Sequence, residues 1–181
     1  IEVLKMNDIQ TGMLHVCNTS AFIKFPEMHL NAVRIGSGFT GKISFRNSMG
    51  LRKIGYLKAN VAEIKELPKN FNVGYSNAYT TKKSTKVAII PAGYADGVNI
   101  ETGRDMFRLI DKIRYIVGDL KNVLKKQQLY VNINNQRCPI IGRVGTYHVT
   151  VDVTGKEVQI NDEVIFNTNI KYVDSNVRRE W

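Results

Sequence analysis

From Leu51 onward, short runs of β-forming residues alternate with turn-forming residues about every 8–15 positions. This rhythm narrows the fold more than any other feature of the chain. A long strand is expected over Leu51 to Leu67, stopped by Pro68, and a second over the strongly apolar Lys86 to Pro91. Leu129 to Ile133 and Pro139 to Val144 read as two more, joined by a turn at Asn134-Asn135. Val149 to Val153, Val158 to Ile160 and Glu163 to Phe166 follow, the last two separated by a turn at Asn161-Asp162. Many short strands with turn signals between them predict a mainly β fold, a small barrel or sandwich.

One segment breaks the rhythm. Between Asp105 and Lys126, Met106, Ile110, Ile113, Val117, Leu120 and Leu124 recur at spacings of four and three, an apolar helical stripe suited to core packing or a subunit contact. Gly118 in its middle predicts a break or kink, and so two short helices.

Residues 1–45 do not read as a self-contained domain. Met13 to Cys17 suits a buried parallel strand, Asn18-Thr19-Ser20 a polar loop, Phe25 to Leu30 a turn into a short helix, and Ala32 to Gly36 a second strand before the Ser37-Gly38 loop. That succession resembles the last part of a βα barrel. The expected organisation is 1–45 as the end of an incomplete (β/α)8 barrel and 46–181 as a β domain with a helical insertion over about 105–126.

Bulk properties bound the function. With 181 residues, 43% of them hydrophobic, the chain can bury a core, and no apolar run approaches the roughly 20 residues that span a bilayer. Cys17 and Cys138 offer neither a disulfide framework nor metal-ligand spacing, so a reducing cytoplasm is the plain inference. The net charge of +10 is spread over scattered basic residues without interleaved aromatics, which argues against a nucleic-acid partner; no membrane partner is expected, and anionic small molecules suit the same charge. His15 reads as a buried, hydrogen-bonded barrel residue, His29 and His148 have no partners at metal or nucleophile spacing, and Cys138 reads as a small core residue.

Two tyrosines stand out. Tyr75 and Tyr94 each follow a glycine and flank the Lys86 to Pro91 strand, so each phenol can be held out of a sharp turn at a strand end. A phenol there can stack, hydrogen-bond or exchange a proton, or simply close the turn.

These segments, in order, resemble the C-terminal part of the fold-type III, pyridoxal-phosphate-dependent alanine racemases. His15-Val16-Cys17-Asn18-Thr19-Ser20 is similar to the motif of the family's seventh barrel strand, and Val33-Arg34-Ile35-Gly36 to that of the eighth. Gly74 to Thr80 resembles the segment of the catalytic tyrosine, and Pro91 to Gly97 the family's Pro-x-Gly-Tyr-x-Asp-Gly. Ile141 to Val144, Val151 to Thr154 and Asn161 to Val164 resemble its late strands and turn.

The resemblance implies a dimeric racemase that interconverts L- and D-alanine, the D-form serving the cell wall, with pyridoxal 5'-phosphate as cofactor. Two acid/base groups would flank the α-carbon: a lysine that holds the cofactor, and a tyrosine contributed by the partner subunit, a role that falls to Tyr75. Arg34 would donate to the cofactor's pyridine nitrogen. Thr19, with Ser20 beside it, would offer a hydroxyl to its phosphate and Gly36 and Ser37 their backbone amides, while Asn18 positions the loop. Tyr94 would line the substrate entrance and Asp96 brace its own turn.

Three departures accompany the match. No lysine of the chain fits the motif of the cofactor-holding lysine, which belongs to an N-terminal barrel portion; the expectation is a chain that begins inside a longer product, or docks with a separate barrel, and is inactive alone. Thr146-Tyr147 stand where the family has Met-Asp, so the Thr146 amide would serve the substrate carboxylate, a charge is missing beside it, and a substrate other than alanine is open. The C-terminal helix and phosphate-binding tyrosine of the family have no counterpart at the matching place, and the insertion after Tyr94 is long. A β module that has lost catalysis and serves binding or regulation is the alternative reading.

Overall fold

The computed structural model describes residues 1–43, 45, 49–100, 109–125 and 128–180. They form two compact units, Ile1–Gly55 and Tyr56–Trp181.

The first unit holds a short helix α1 (Glu2–Met6), strand β1 (His15–Asn18), helix α2 (Thr19–Lys24) and strand β2 (Ala32–Arg34). β1 and β2 pair in parallel, His15 opposite Ala32 and Asn18 opposite Arg34, with α2 in the crossover. The expected polar loop after β1 is instead the start of a helix. Asn18 adopts an extended backbone and its Oδ1 accepts the Ala21 N–H at 3.0 Å, capping the first turn. Pro26 disfavours a helical conformation at Phe25, and the helix stops there before a 3₁₀ turn at Pro26–Met28. Cys17 is the buried residue of β1, its thiol 3.1 Å from the Met28 carbonyl. His15 is exposed, contrary to expectation: it is the first residue of β1, which pairs with one strand only, and burial begins further along at Cys17. His29 is the tied histidine here: its Nε2 lies 2.7 Å from the Phe22 carbonyl and its ring stacks on Phe22.

The second unit is built from β3 (Leu57–Asn60), β4 (Glu63–Leu67), β5 (Asn72–Val73), β6 (Tyr79–Thr80), β7 (Thr85–Ile90), helix α3 (Leu109–Lys125), β8 (Tyr130–Ile133), β9 (Gln136–Ile141), β10 (Val149–Asp152) and β11 (Glu163–Phe166). Seven strands form one antiparallel sheet in the order β3-β11-β8-β9-β10-β7-β4. Its two edge strands are consecutive in sequence, joined by Val61 and Ala62 alone. Laid flat, seven strands would separate those edges by about 29 Å. The link can span only about 10 Å, so the sheet curls round on itself as a barrel. Val61 donates its N–H to the Asp162 carbonyl at 3.0 Å, and Ala62 donates to Ile89 at 2.9 Å, so this corner touches both edges. The single strand expected over Leu51 to Leu67 is therefore two strands bent at the fully buried Val61, and residues 51–56 are not strand.

Ala88 and Ile90 of β7, Val131 and Ile133 of β8, Cys138 and Ile140 of β9, Val149 and Val151 of β10, and Val164 and Phe166 of β11 fill the interior. Each fully buried Val, Ile or Phe contributes about 1.5–3 kcal/mol of transfer free energy. A second small cluster, Val73, Val87 and Ile141 with Leu67 and Tyr79 against it, fastens the β5–β6 hairpin onto β7 and β9. Two-residue strands are too short to show a period, and this hairpin was not visible in the sequence.

Helix α3 runs unbroken through Gly118, where an added Cβ would meet nothing within 4 Å. The expected kink does not occur. A helix-interior glycine costs about 1 kcal/mol relative to alanine without bending the backbone. Residues 101–108, where the helical stripe was expected to begin, lie outside the described residues. Val158 to Ile160 are not strand; the chain turns into β11 through Asn161 at φ 72°.

Candidate functional site

The Tyr75 loop connects β5 and β6, whose register sets Val73 opposite Tyr79. Three of its residues, Gly74, Ser76 and Asn77, have φ of 78°, 58° and 50°. The backbone is coiled tightly enough to leave the Tyr75 side chain out in solvent, 72% exposed. What holds the loop is a pair of facing glycines. A Cβ on Gly74 would sit 2.9 Å from the Arg143 nitrogen, and one on Gly142 would sit 2.7 Å from the Val73 carbonyl. Both glycines also have positive φ, so neither position suits another residue.

The Tyr94 loop leaves the C-terminal end of β7. Its Gly93 is pressed against a second backbone, where a Cβ would fall 2.3 Å from both the Gly145 and the Thr146 carbonyl oxygens. Those same carbonyls accept the Tyr94 and Ala95 N–H groups at 3.0 Å each. Asp96 braces the turn as expected, its Oδ2 accepting the Gly93 N–H at 2.8 Å, with Gly97 at φ 100°. The Thr146 hydroxyl donates to the Tyr94 phenolic oxygen at 2.9 Å.

One segment of five residues, Gly142 to Thr146, therefore ties both tyrosine loops to the same end of the barrel. β10 lies between β9 and β7 and is antiparallel to both, so β7 and β9 run alike and finish at that end. Arg143 stands exposed between the two contacts, and Tyr147 follows Thr146 with its ring exposed. The sequence marked Gly142-Arg143-Val144 as the close of a strand. The strand ends at Ile141 instead, and Arg143 becomes a rim cation that sequence reasoning assigned no role. Its signal was the glycine before it, which turns the chain out of the sheet.

The remaining candidate residues lie in the first unit, at the C-terminal ends of two parallel strands, where open α/β structures receive ligands. Thr19 is buried and its Oγ1 accepts the Gly36 N–H at 2.9 Å. Thr19 and Gly36, expected to serve a phosphate side by side, are thus bonded to each other, which leaves the Thr19 hydroxyl proton as the group to be donated. Gly38 fits beside the Thr19 methyl, where a Cβ would come within 2.9 Å. Ser37 opens the 3₁₀ turn Ser37–Thr40, its carbonyl accepting from Thr40 Oγ1 and the Lys42 N–H; its own N–H has no acceptor among the described residues. Asn18 is spent on its cap, and Ser20 is half-buried with a partner of its own. Arg34 is exposed and donates one N–H to the Val16 carbonyl at 3.3 Å; its other N–H groups have no partner among the described residues.

This donor set is a hydroxyl, a backbone amide and a guanidinium, with no carboxylate among them. It fits a phosphorylated pyridine: Thr19 and Ser37 for the phosphate, Arg34 for a ring nitrogen that accepts but does not donate.

Two other groups are shifted. Burial pushes the Cys138 thiol above its usual range, keeping it neutral in the core. Burial, and then the charge of Lys42, lowers Lys53. No cluster of His, Cys, Asp or Glu among the described residues could hold a metal ion.

Residues 54–177 match the family model described as alanine racemase, C-terminal domain. The alanine racemase of Clostridium perfringens strain SM101 is 32% identical over 169 residues, covering 91% of this chain and 38% of that protein. The lysine racemase of Proteus mirabilis is also 32% identical, over 154 residues, covering 84% of this chain and 32% of its own length. The crystal structure of alanine racemase from Bartonella henselae with covalently bound pyridoxal phosphate superposes with a TM-score of 0.66 at 19% identity, over 91% of this chain and 40% of that one. The chain spans about two fifths or less of the length of each of these proteins.

Proposed function

The chain belongs to the alanine racemase C-terminal domain family, and on that premise we propose that it is the C-terminal part of a pyridoxal-phosphate-dependent racemase interconverting L- and D-alanine by two-base proton transfer. The observation that carries the reading is the Gly142 to Thr146 segment, which seats the Tyr75 loop and the Tyr94 loop at one end of the barrel. A racemase must move a proton on two faces of one carbon, and a phenol fixed on a rigid rim can serve one of them.

When bound, pyridoxal phosphate would supply an electron sink that makes the α-proton of an amino acid removable. Thr19 and Ser37 would hold its phosphate in this reading, the Gly36 N–H fixing the Thr19 hydroxyl, with Asn18 and Ser20 shaping their loop. Arg34 would donate to its ring nitrogen and, having no lone pair with which to accept a hydrogen bond, would favour the unprotonated form of that nitrogen. Tyr75 acts across a dimer interface, taking or returning the α-proton at its phenolic oxygen; an N-terminal barrel portion provides the opposing lysine. Tyr94 lines the entrance, its phenol oriented by Thr146, and the Thr146 backbone meets the substrate carboxylate.

Alanine is the substrate most consistent with the family, while Thr146-Tyr147 and the equal likeness to a lysine racemase favour testing larger amino acids beside it. The same Thr146-Tyr147 pair supports the second reading, a racemase-derived β module retained for binding or regulation.

The test is racemisation assayed from both enantiomers, with the chain joined to the lysine-bearing barrel portion. Tyr75→Phe removes one oxygen from an exposed side chain, so the fold survives. The rate should drop about 100-fold or more in both directions. Wild-type rates in the variant would remove Tyr75 from the chemistry. No racemisation by the wild-type assembly, with pyridoxal phosphate bound, would favour the non-catalytic reading.

A further inference from the structure

Helix α3 is turned inside out. An amphipathic helix on a protein in water normally faces its apolar stripe inward. Here Leu109, Ile110, Ile113, Ile116, Val117 and Leu120 form the stripe and all six are exposed, Ile116 at 67%. The shielded side is the polar one: Asp111 is only 7% exposed, and Tyr115, Gly118 and Asp119 are partly covered. A contiguous apolar face of this kind marks a surface that something else covers.

The charges beside the stripe identify what. Lys112, Arg114 and Lys121 are exposed, whereas the two acidic residues of the helix, Asp111 and Asp119, lie on the shielded side. The exposed charges flanking the apolar face are therefore all cationic, Arg114 reaching back to the shielded Asp111 at 3.6 Å while Lys112 and Lys121 face outward, on a chain of net charge +10. A second copy of the chain is a poor occupant. A two-fold contact sets the same patch against itself and would bring this cationic rim against its own image. An apolar stripe rimmed by Lys and Arg, with a polar opposite side, matches a helix that lies in the headgroup layer of an anionic bilayer. No described helix is long and apolar enough to cross a membrane, so the contact would be with one leaflet only. We infer that α3 is a membrane-surface anchor that docks this chain on anionic lipid, laying its apolar stripe among the acyl chains and its cations against the phosphates.

Co-sedimentation of the chain with phosphatidylcholine vesicles, with and without phosphatidylglycerol, tests this. Binding should require phosphatidylglycerol and weaken as salt is added. It should fall about tenfold or more in the triple variant Ile113→Ser, Ile116→Ser, Leu120→Ser, and likewise in Lys112→Glu, Arg114→Glu, Lys121→Glu. All six positions are exposed, so circular dichroism should show both variants folded. Absence of binding to phosphatidylglycerol vesicles, equal binding by either variant, or equal binding to neutral vesicles would overturn the inference. So would a dimer in sedimentation equilibrium that the serine variant alone dissolves, or poly-glutamate binding without vesicle binding.

Discussion

The Thr146 hydroxyl lies 2.9 Å from the Tyr94 phenolic oxygen and donates to it, across 52 positions of sequence. The two loops are already clamped by the backbone bonds of Tyr94 and Ala95 to Gly145 and Thr146, so the hydroxyl decides the aim of a ring, not the position of a loop. Thr146→Val should cost only about 0.5–1 kcal/mol of stability. If the assembled protein racemises as proposed, the variant should raise KM more than it lowers kcat, while Thr146→Ser keeps both. Equal kinetics for the valine and serine variants would show that the bond orients nothing of consequence.

The rim glycines should be far less replaceable than a glycine that merely turns the chain. At Gly93 a methyl group would overlap two backbone carbonyls, so Gly93→Ala should cost about 3 kcal/mol or more in urea unfolding. Gly155 also has positive φ but open space around its Cβ, and Gly155→Ala should cost about 1 kcal/mol. If both variants unfold at the same urea concentration, the contact between the Tyr94 loop and Thr146 is looser than described.

Thr19 has two duties, and a pair of ligands separates them. Thr19→Val leaves the Gly36 amide without its acceptor and removes the hydroxyl proton offered to a phosphate. Binding of pyridoxal phosphate to the assembled protein should weaken about tenfold. Binding of pyridoxal, which lacks the phosphate, should change little, and Thr19→Ser should restore the first. A matching loss for both ligands would assign Thr19 a purely structural part.

The buried Cys138 thiol makes stability depend on pH in the alkaline range. Its folded value is raised above 9.0, the value of the free thiol, because burial penalises the thiolate. The unfolded chain therefore ionises first. The thiol's contribution to stability is complete below pH 9.0 and is lost as the pH climbs toward the folded value. Urea midpoints should decline as the pH rises above 9.0 more steeply for the wild type than for Cys138→Ala, and the native thiol should react slowly with a thiol probe. Identical slopes would mean the thiol ionises equally well in the folded core.

The sequence was most readable where a strand is strongly apolar or alternates cleanly. Lys86 to Pro91, Val149 to Val153 and Glu163 to Phe166 each coincide with an observed strand to within a residue. The corner at Val61 leaves only a one-residue slip in the alternation, Leu57, Ala59 and Val61 at odd positions and then Ile64, and pairing to different partners on its two sides makes it plain. Asn18 was read as loop although it is a good helix cap, because the apolar stretch behind it is a single turn and a half. Gly118 predicts a kink that does not occur, since glycine weakens a helix without requiring one. At the rim, Tyr75, Tyr94 and Thr146 were legible by residue type and order. That Gly142 to Thr146 joins their loops was not, because the contact is made by backbone and by the absence of Cβ atoms, which leave no periodic trace.

The bent corner at Val61 also dictates an order of events during synthesis. β3 is among the first parts of its unit to leave the ribosome, yet among the described strands it pairs with β11 alone; Lys58 meets Glu163 across 105 positions. Until that last strand emerges, the nascent chain carries an unpaired ribbon that no nearer strand can satisfy. Closure is slow and late for such a long-range pairing, and for that interval the edge of the growing ribbon stays open.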